Sequence, residues 1–80
     1  MNIDAASLGS ALRERRRALS ISQIDFADLA GVAVHTVSDI ESGKGNPTLD
    51  VLLKILEPLG LELTVQPKRL ESNQPATSSP

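Results

Sequence analysis

Two short helical segments meet at one glycine, and that junction limits the folds open to this chain. Gln23 to Ala30 and about Val34 to Ser42 both carry apolar residues at helical spacing, and Gly31 stands between them with Val32 and Ala33 completing the turn. Helices this short are marginal in isolation, because nucleating a turn costs more than a few hydrogen bonds return. They must pack against something close by, so the chain has to reverse at Gly31. Glycine is the residue that ends a helix in the left-handed conformation. An αα pair joined by such a turn is a helix-turn-helix corner. Phe26, Ala27 and Leu29 are expected to face inward from the first segment, and Val37 and Ile40 from the second. Ser22 with Asp25 resembles a capping box. Ala33 has no side-chain acceptor, so the second segment starts weakly, at a cost of about 1 kcal/mol relative to Ser or Thr.

The flanking sequence is helical too. Asp4 is an N-cap candidate for a helix from Ala5 to about Leu19, with Leu8, Leu12 and Leu19 on one face. Ser42 to Pro47 is a loop by composition. Thr48 caps a fourth helix, and Leu49, Leu52, Leu53, Leu56 and Leu59 make its apolar stripe. Pro58 should loosen the last turn, and Gly60 closes it. Leu61-Glu62-Leu63-Thr64-Val65 then alternates with the period of a strand. Residues 67–80 are polar and rich in Ser, Pro, Asn and Gln, which predicts a disordered tail behind a single domain over residues 1–66.

Composition narrows the function. Eighty residues give one small domain with a thin core. With no cysteine there is neither a disulfide framework nor a thiolate metal site, one histidine cannot build a zinc site by itself, and no cofactor is expected. Self-association is left as the source of further burial. No apolar run approaches the roughly 20 residues needed to span a bilayer, and Met1-Asn2-Ile3-Asp4 does not read as a signal peptide. A soluble, cytoplasmic protein is expected, without a membrane partner. The net charge of -2 argues against a nonspecific nucleic-acid coat, but Arg13, Arg15, Arg16 and Arg17 cluster in the first helix and Lys44 sits in a loop. No glycine-rich phosphate loop, nucleophile elbow or metal-ligand cluster is present, so an enzyme is not expected.

The residues of the corner carry a family resemblance. Ser22-Gln23-Ile24-Asp25-Phe26-Ala27-Asp28-Leu29-Ala30-Gly31-Val32, then Thr36-Val37-Ser38-Asp39-Ile40-Glu41-Ser42-Gly43-Lys44, then Asn46-Pro47-Thr48-Leu49 through Leu59-Gly60, resemble the Xre/Cro-type helix-turn-helix family. The resemblance runs from about Leu8 to Gly60, and the segment Leu61 to Val65 is similar to the HipB branch. It implies a lambda-repressor-like all-α bundle of four helices. It also implies that the third helix enters the major groove of double-stranded operator DNA. The base-facing residues are then Ala33, Val34, His35, Thr36, Ser38 and Asp39. Gln23, at the start of the second helix, and Lys44 are expected on phosphate. Val34 offers a methyl surface to thymine, and His35 either makes one base bond or is an ordinary surface histidine. Asp39 either accepts from a cytosine amine, or faces solvent or pairs with a cation inside the chain. Thr36 suits a phosphate better than a base. With so few bidentate side chains, DNA shape is expected to contribute to recognition. Arg16 and Glu41 take the family's structural salt bridge.

The strand predicts the oligomer. Leu61, Leu63 and Val65 belong to the only strand candidate, and a lone strand cannot satisfy its ladder. Antiparallel pairing with the same strand of a second subunit gives a homodimer. Its two recognition helices would stand about 34 Å apart, one turn of DNA, facing a palindrome. The alternative is extended chain packed on the fourth helix. Two roles are then open: an autoregulatory antitoxin-like repressor with a HipA-like serine/threonine kinase toxin as partner, or a stand-alone repressor.

Overall fold

The computed structural model describes residues 4–68. Asp4 begins the first helix, α1 (Ala5–Ala18), through a reciprocal capping box: its side chain accepts from the Ser7 amide at 2.8 Å while Ser7 Oγ accepts from the Asp4 amide at 3.1 Å. Ser22 caps α2 (Gln23–Ala30) by accepting from the Asp25 amide at 3.1 Å. Gly31 ends α2 at φ 73°, and Val32 N–H reaches back to the Ala27 carbonyl at 3.0 Å. This satisfies a carbonyl that the helix end would otherwise leave open. The turn delivers the chain into α3 (Val34–Glu41), whose N-cap Ala33 makes no side-chain hydrogen bond. Thr48 caps α4 (Leu49–Leu56), and a 3₁₀ turn containing Pro58, Glu57–Leu59, continues directly from its end.

Each element sends one side chain to the centre of the core. Leu12 of α1, Phe26 of α2, Val37 of α3, Ile55 of α4 and Leu59 of the 3₁₀ turn are all essentially sealed from solvent. Ala27, Ala30, Ile40 and Leu56 complete the buried set, with Leu8, Ile21, Val32 and Val51 packed at its edge. α1 and α2 both lie against α3, so the third helix is held from two sides and presents its remaining surface outward.

Several expectations need correction. No strand occurs among the described residues: residues 61–68 run on as exposed chain without regular secondary structure, and Leu61, Leu63 and Val65 form no ladder. Among the described residues that segment has no neighbouring strand to pair with, and its one backbone bond runs back from the Leu61 amide to the Leu56 carbonyl at 3.1 Å, so its alternation alone cannot make it a strand. The bundle is therefore all-α within the described residues. The predicted tail falls largely on residues 69–80, outside the described residues. The expected stripe of the fourth helix holds at Leu56, Leu59 and the half-buried Leu52 but not at Leu49 and Leu53, which stay 59% and 50% exposed while Ile55 is buried and Val51 half-buried in their place. Both settings keep helical spacing, and packing against α2 and the 3₁₀ turn decides between them. Leu29 is 64% exposed rather than inward, because α2 already buries Phe26, Ala27 and Ala30. The third helix ends at Glu41, one residue short of the expected boundary.

Candidate nucleic-acid interface

The outward surface of α3 depends on how its inward surface is fixed. At its C-terminal end Glu41 is buried, and Arg16 of α1 meets it with two parallel hydrogen bonds: Nε donates to Oε2 at 2.7 Å and a terminal nitrogen donates to Oε1 at 3.0 Å. The remaining terminal nitrogen of Arg16 donates to the Ile21 carbonyl at 2.7 Å. Gln23 Nε2 donates to Glu41 Oε1 at 3.0 Å. One carboxylate thus joins α1, α2 and α3. Burial pushes the Glu41 carboxyl up, but hydrogen bonds from Arg16 and Gln23, and the charges of Arg16 and Arg13, outweigh it and hold the group below the usual glutamate range. A second contact sets the distance between α1 and α3. A Cβ on Gly9 would lie 2.8 Å from the Glu41 carbonyl oxygen and closer still to that of Ile40. Only a glycine allows the two backbones to approach this far.

With its inner side occupied, α3 shows Val34, His35 and Ser38 to solvent, and Thr36 and Asp39 are half-buried beside them. Ala33 is exposed at the start of the helix. The adjoining loop is tied to the helix through the Asp39 carbonyl, which accepts from the Lys44 amide at 2.8 Å and from Ser42 Oγ at 3.1 Å. This brings Lys44 alongside α3, and a cleft of about 260 Å³ runs between them, lined by His35, Thr36, Asp39, Lys44, Asn46 and Thr48 among others. Of the expected base-facing residues, His35, Thr36 and Asp39 share this cleft with Lys44.

Three placements bear on these expectations. The Gln23 side chain is engaged with Glu41, so its amide donor is at least partly committed inside the protein rather than held out for a phosphate. Asp39 takes part in no ion pair among the described residues, where the pairs are Arg16–Glu41 and Lys54–Asp50. Arg15 does not face this surface: its Nε donates to the Leu59 carbonyl at 2.9 Å, tying α1 to the 3₁₀ turn. Gly9 and Arg15 are structural residues that sequence reasoning misses. A glycine inside a strongly helical stretch is a propensity outlier, and that is the available signal for Gly9. No local pattern marks Arg15.

A capped helix, a left-handed glycine turn and a second helix held with its polar side outward define a helix-turn-helix unit of the DNA-binding class. The chain belongs to the helix-turn-helix family, whose family model matches residues 12–66. It is 42% identical over 57 residues to an HTH-type transcriptional regulator of Haemophilus influenzae, a match covering 71% of this chain and 58% of that protein. The chain thus spans little more than half the length of that relative. It is 28% identical over 60 residues to the HTH-type transcriptional regulator y4mF of Sinorhizobium fredii, covering 75% of this chain and 79% of that one. Among solved structures it is similar to the restriction-modification controller protein C.AhdI of Aeromonas hydrophila. The TM-score is 0.70 at 34% identity, with 72% of this chain and 88% of that chain covered. None of the described helices is long and apolar enough to cross a membrane.

Proposed function

We propose that this protein is a sequence-specific transcriptional repressor that binds a palindromic operator as a homodimer, inserting α3 of each subunit into the major groove. The observation that carries this reading is the outward surface of α3, which shows Val34, His35 and Ser38 to solvent and sets His35 and Asp39 in one cleft with Lys44. Methyl, imidazole, hydroxyl and carboxylate groups offer one-point contacts to base edges, so discrimination rests partly on DNA shape. Similarity to two transcriptional regulators and to a restriction-modification controller supports the regulatory role.

The dimer has a separate motive. Leu49 and Leu53 are exposed on one side of α4, and Leu61, Leu63 and Val65 lie uncovered beyond it. A small domain gains from covering such apolar surface with a second copy. The two segments offer two routes to it: a helical face, or strands pairing across a two-fold axis.

A HipA-like kinase partner rests on the HipB-like alternation of Leu61 to Val65 alone. The helix-turn-helix unit supports a regulator without it. Affinity purification of the tagged protein from its host tests that partner directly.

The test of the main reading is a triple variant, Val34→Ala with His35→Ala and Asp39→Ala, assayed by fluorescence anisotropy on the DNA upstream of the gene. Affinity for that fragment should fall about tenfold or more, given roughly 1–3 kcal/mol for each good base contact, while nonspecific binding stays within about twofold. Unchanged affinity for the upstream fragment would remove α3 as the reading element.

A further inference from the structure

α3 is a ridge between two clefts. On one side lies the Lys44 cleft, lined from α3 by His35, Thr36, Asp39 and Ile40. On the other lies a more polar groove of about 320 Å³, lined by Arg13, Arg16, Gln23, Ser38, Glu41 and Ser42. A site needs only about 10–15 Å³ of such space to admit one water, so this groove is open to solvent and not a packing defect.

The charges in the groove do not cancel. Arg16 is consumed by Glu41 and the Ile21 carbonyl. Glu41 accepts from Arg16 and Gln23 and is buried. Arg13 is exposed, and it belongs to neither ion pair among the described residues. Two cations face one anion, and the surplus cation is the solvent-facing one. Arg13 also contributes to holding the Glu41 carboxyl ionised, which places its charge at this groove.

A helix seated in the major groove has a phosphate backbone on each side of it. Lys44 supplies a cation on one side of α3, and among the described residues no other unengaged cation lines the second groove. We propose that Arg13 is a phosphate-contacting residue, and that the polar groove between α1 and α3 receives the DNA backbone opposite the strand met by Lys44. Ser38 lines the same groove and offers a hydroxyl donor to the same phosphate oxygens, while the Ser42 hydroxyl beside it is spent on the Asp39 carbonyl. In this arrangement Gln23 positions Glu41 and borders the phosphate site, and the contact expected of it passes in part to Arg13.

This inference rests on the nucleic-acid reading of α3, and a salt titration separates the two. Wild type, Arg13→Gln, Arg13→Lys and Lys44→Gln are titrated onto a duplex of random sequence, roughly 30 base pairs long, and onto the upstream DNA, each over the range of about 50 to 200 mM salt. Each phosphate contact on B-DNA contributes about 0.9 to the slope of log K against log salt. Arg13→Gln should reduce the slope by about 0.9 per subunit on both DNAs, Lys44→Gln by a similar amount, and Arg13→Lys should retain it. Far-UV circular dichroism checks that each variant is folded. A wild-type slope in Arg13→Gln, with Lys44→Gln reduced, overturns the Arg13 assignment and leaves the reading of α3 standing. A wild-type protein that binds neither DNA overturns both.

Discussion

α3 and α4 are both eight residues long, and they turn opposite kinds of surface outward. α3 buries Val37, Ile40 and Glu41 and shows solvent a largely polar side carrying His35 and Ser38. α4 buries Ile55 and Leu56 and still shows Leu49 and Leu53. The difference lies in how each is held. α3 is fixed by a polar clamp that needs few apolar residues, leaving its outer face free to be hydrophilic. α4 is fixed by apolar contacts and has more leucine than the monomer can cover. A polar face suits a hydrated, anionic partner, and an apolar face suits another protein surface. The same bundle thus separates a polar side from an apolar side.

The largest way to break this contrast is to remove the clamp from α3. Glu41→Ala leaves the Arg16 guanidinium, whose side chain is 10% exposed, without its partner. Breaking a buried pair by deleting one member costs about 3–5 kcal/mol. Total stability at roughly 0.05–0.15 kcal/mol per residue is about 4–12 kcal/mol for a domain of this size. The variant should sit at the edge of unfolding in a urea titration at neutral pH. A loss below about 1 kcal/mol would mean the pair does not hold the helix. The same group sets the acid limit. Because the folded state lowers the Glu41 pKa, its stabilisation is complete above the unfolded value of about 4.3 and is lost as pH falls through the lower folded value. Glu41→Gln should flatten that part of the acid melt.

Gly9→Ala comes next, and here the sign decides. In an exposed helix interior this change stabilises by about 1 kcal/mol. Here the new Cβ meets the backbone carbonyls of Ile40 and Glu41, which cannot swing away as a side-chain tip can. Overpacking of this kind costs about 1–3 kcal/mol, so the variant should be net destabilised, and DNA binding should weaken as α3 is pushed off α1. A higher melting temperature would show that the α1–α3 spacing is slack.

What the sequence could tell depends on the range of the forces involved. The Gly31 turn, the Ser22, Asp4 and Thr48 caps, and the inward setting of Val37 and Ile40 are local matters of backbone geometry and period, and they are legible. The edge of the buried face of α4 is not, because Leu49 and Leu53 compete with Val51 and Ile55 to flank Leu52 and Leu56, and only packing chooses between them. Gly9 and the Arg15 tether to the Leu59 carbonyl join residues far apart in the chain, where no local pattern reports the partner. The Arg16–Glu41 pair is equally long-range and comes within reach through the family resemblance alone. Gln23 stands in a recognisable place, yet its engagement with Glu41 depends on a side-chain meeting that spacing cannot specify. The alternation of Leu61 to Val65 describes a residue pattern, whereas a strand also needs a ladder partner.

The smallest expected effect on the monomer falls on the apolar side of α4, and it sharpens the comparison most. Leu49→Glu with Leu53→Glu changes two leucines that are 59% and 50% exposed, so little core packing is lost. Measured at a concentration where the subunits are apart, stability should move by no more than about 0.5 kcal/mol for each change, as for other surface substitutions. Association should respond differently. Placing charge in a buried interface should raise the dimer dissociation constant at least about tenfold, or about 1.4 kcal/mol, as read by sedimentation velocity across a concentration series. Operator affinity should fall with it, since the two subunits would no longer bind as a unit. If the double variant remains as dimeric as the wild type, the leucine face of α4 is not the assembly surface. Replacing Leu61, Leu63 and Val65 with Thr then decides whether the subunits pair through that segment: loss of the dimer would assign them to a strand interface that forms only between two chains.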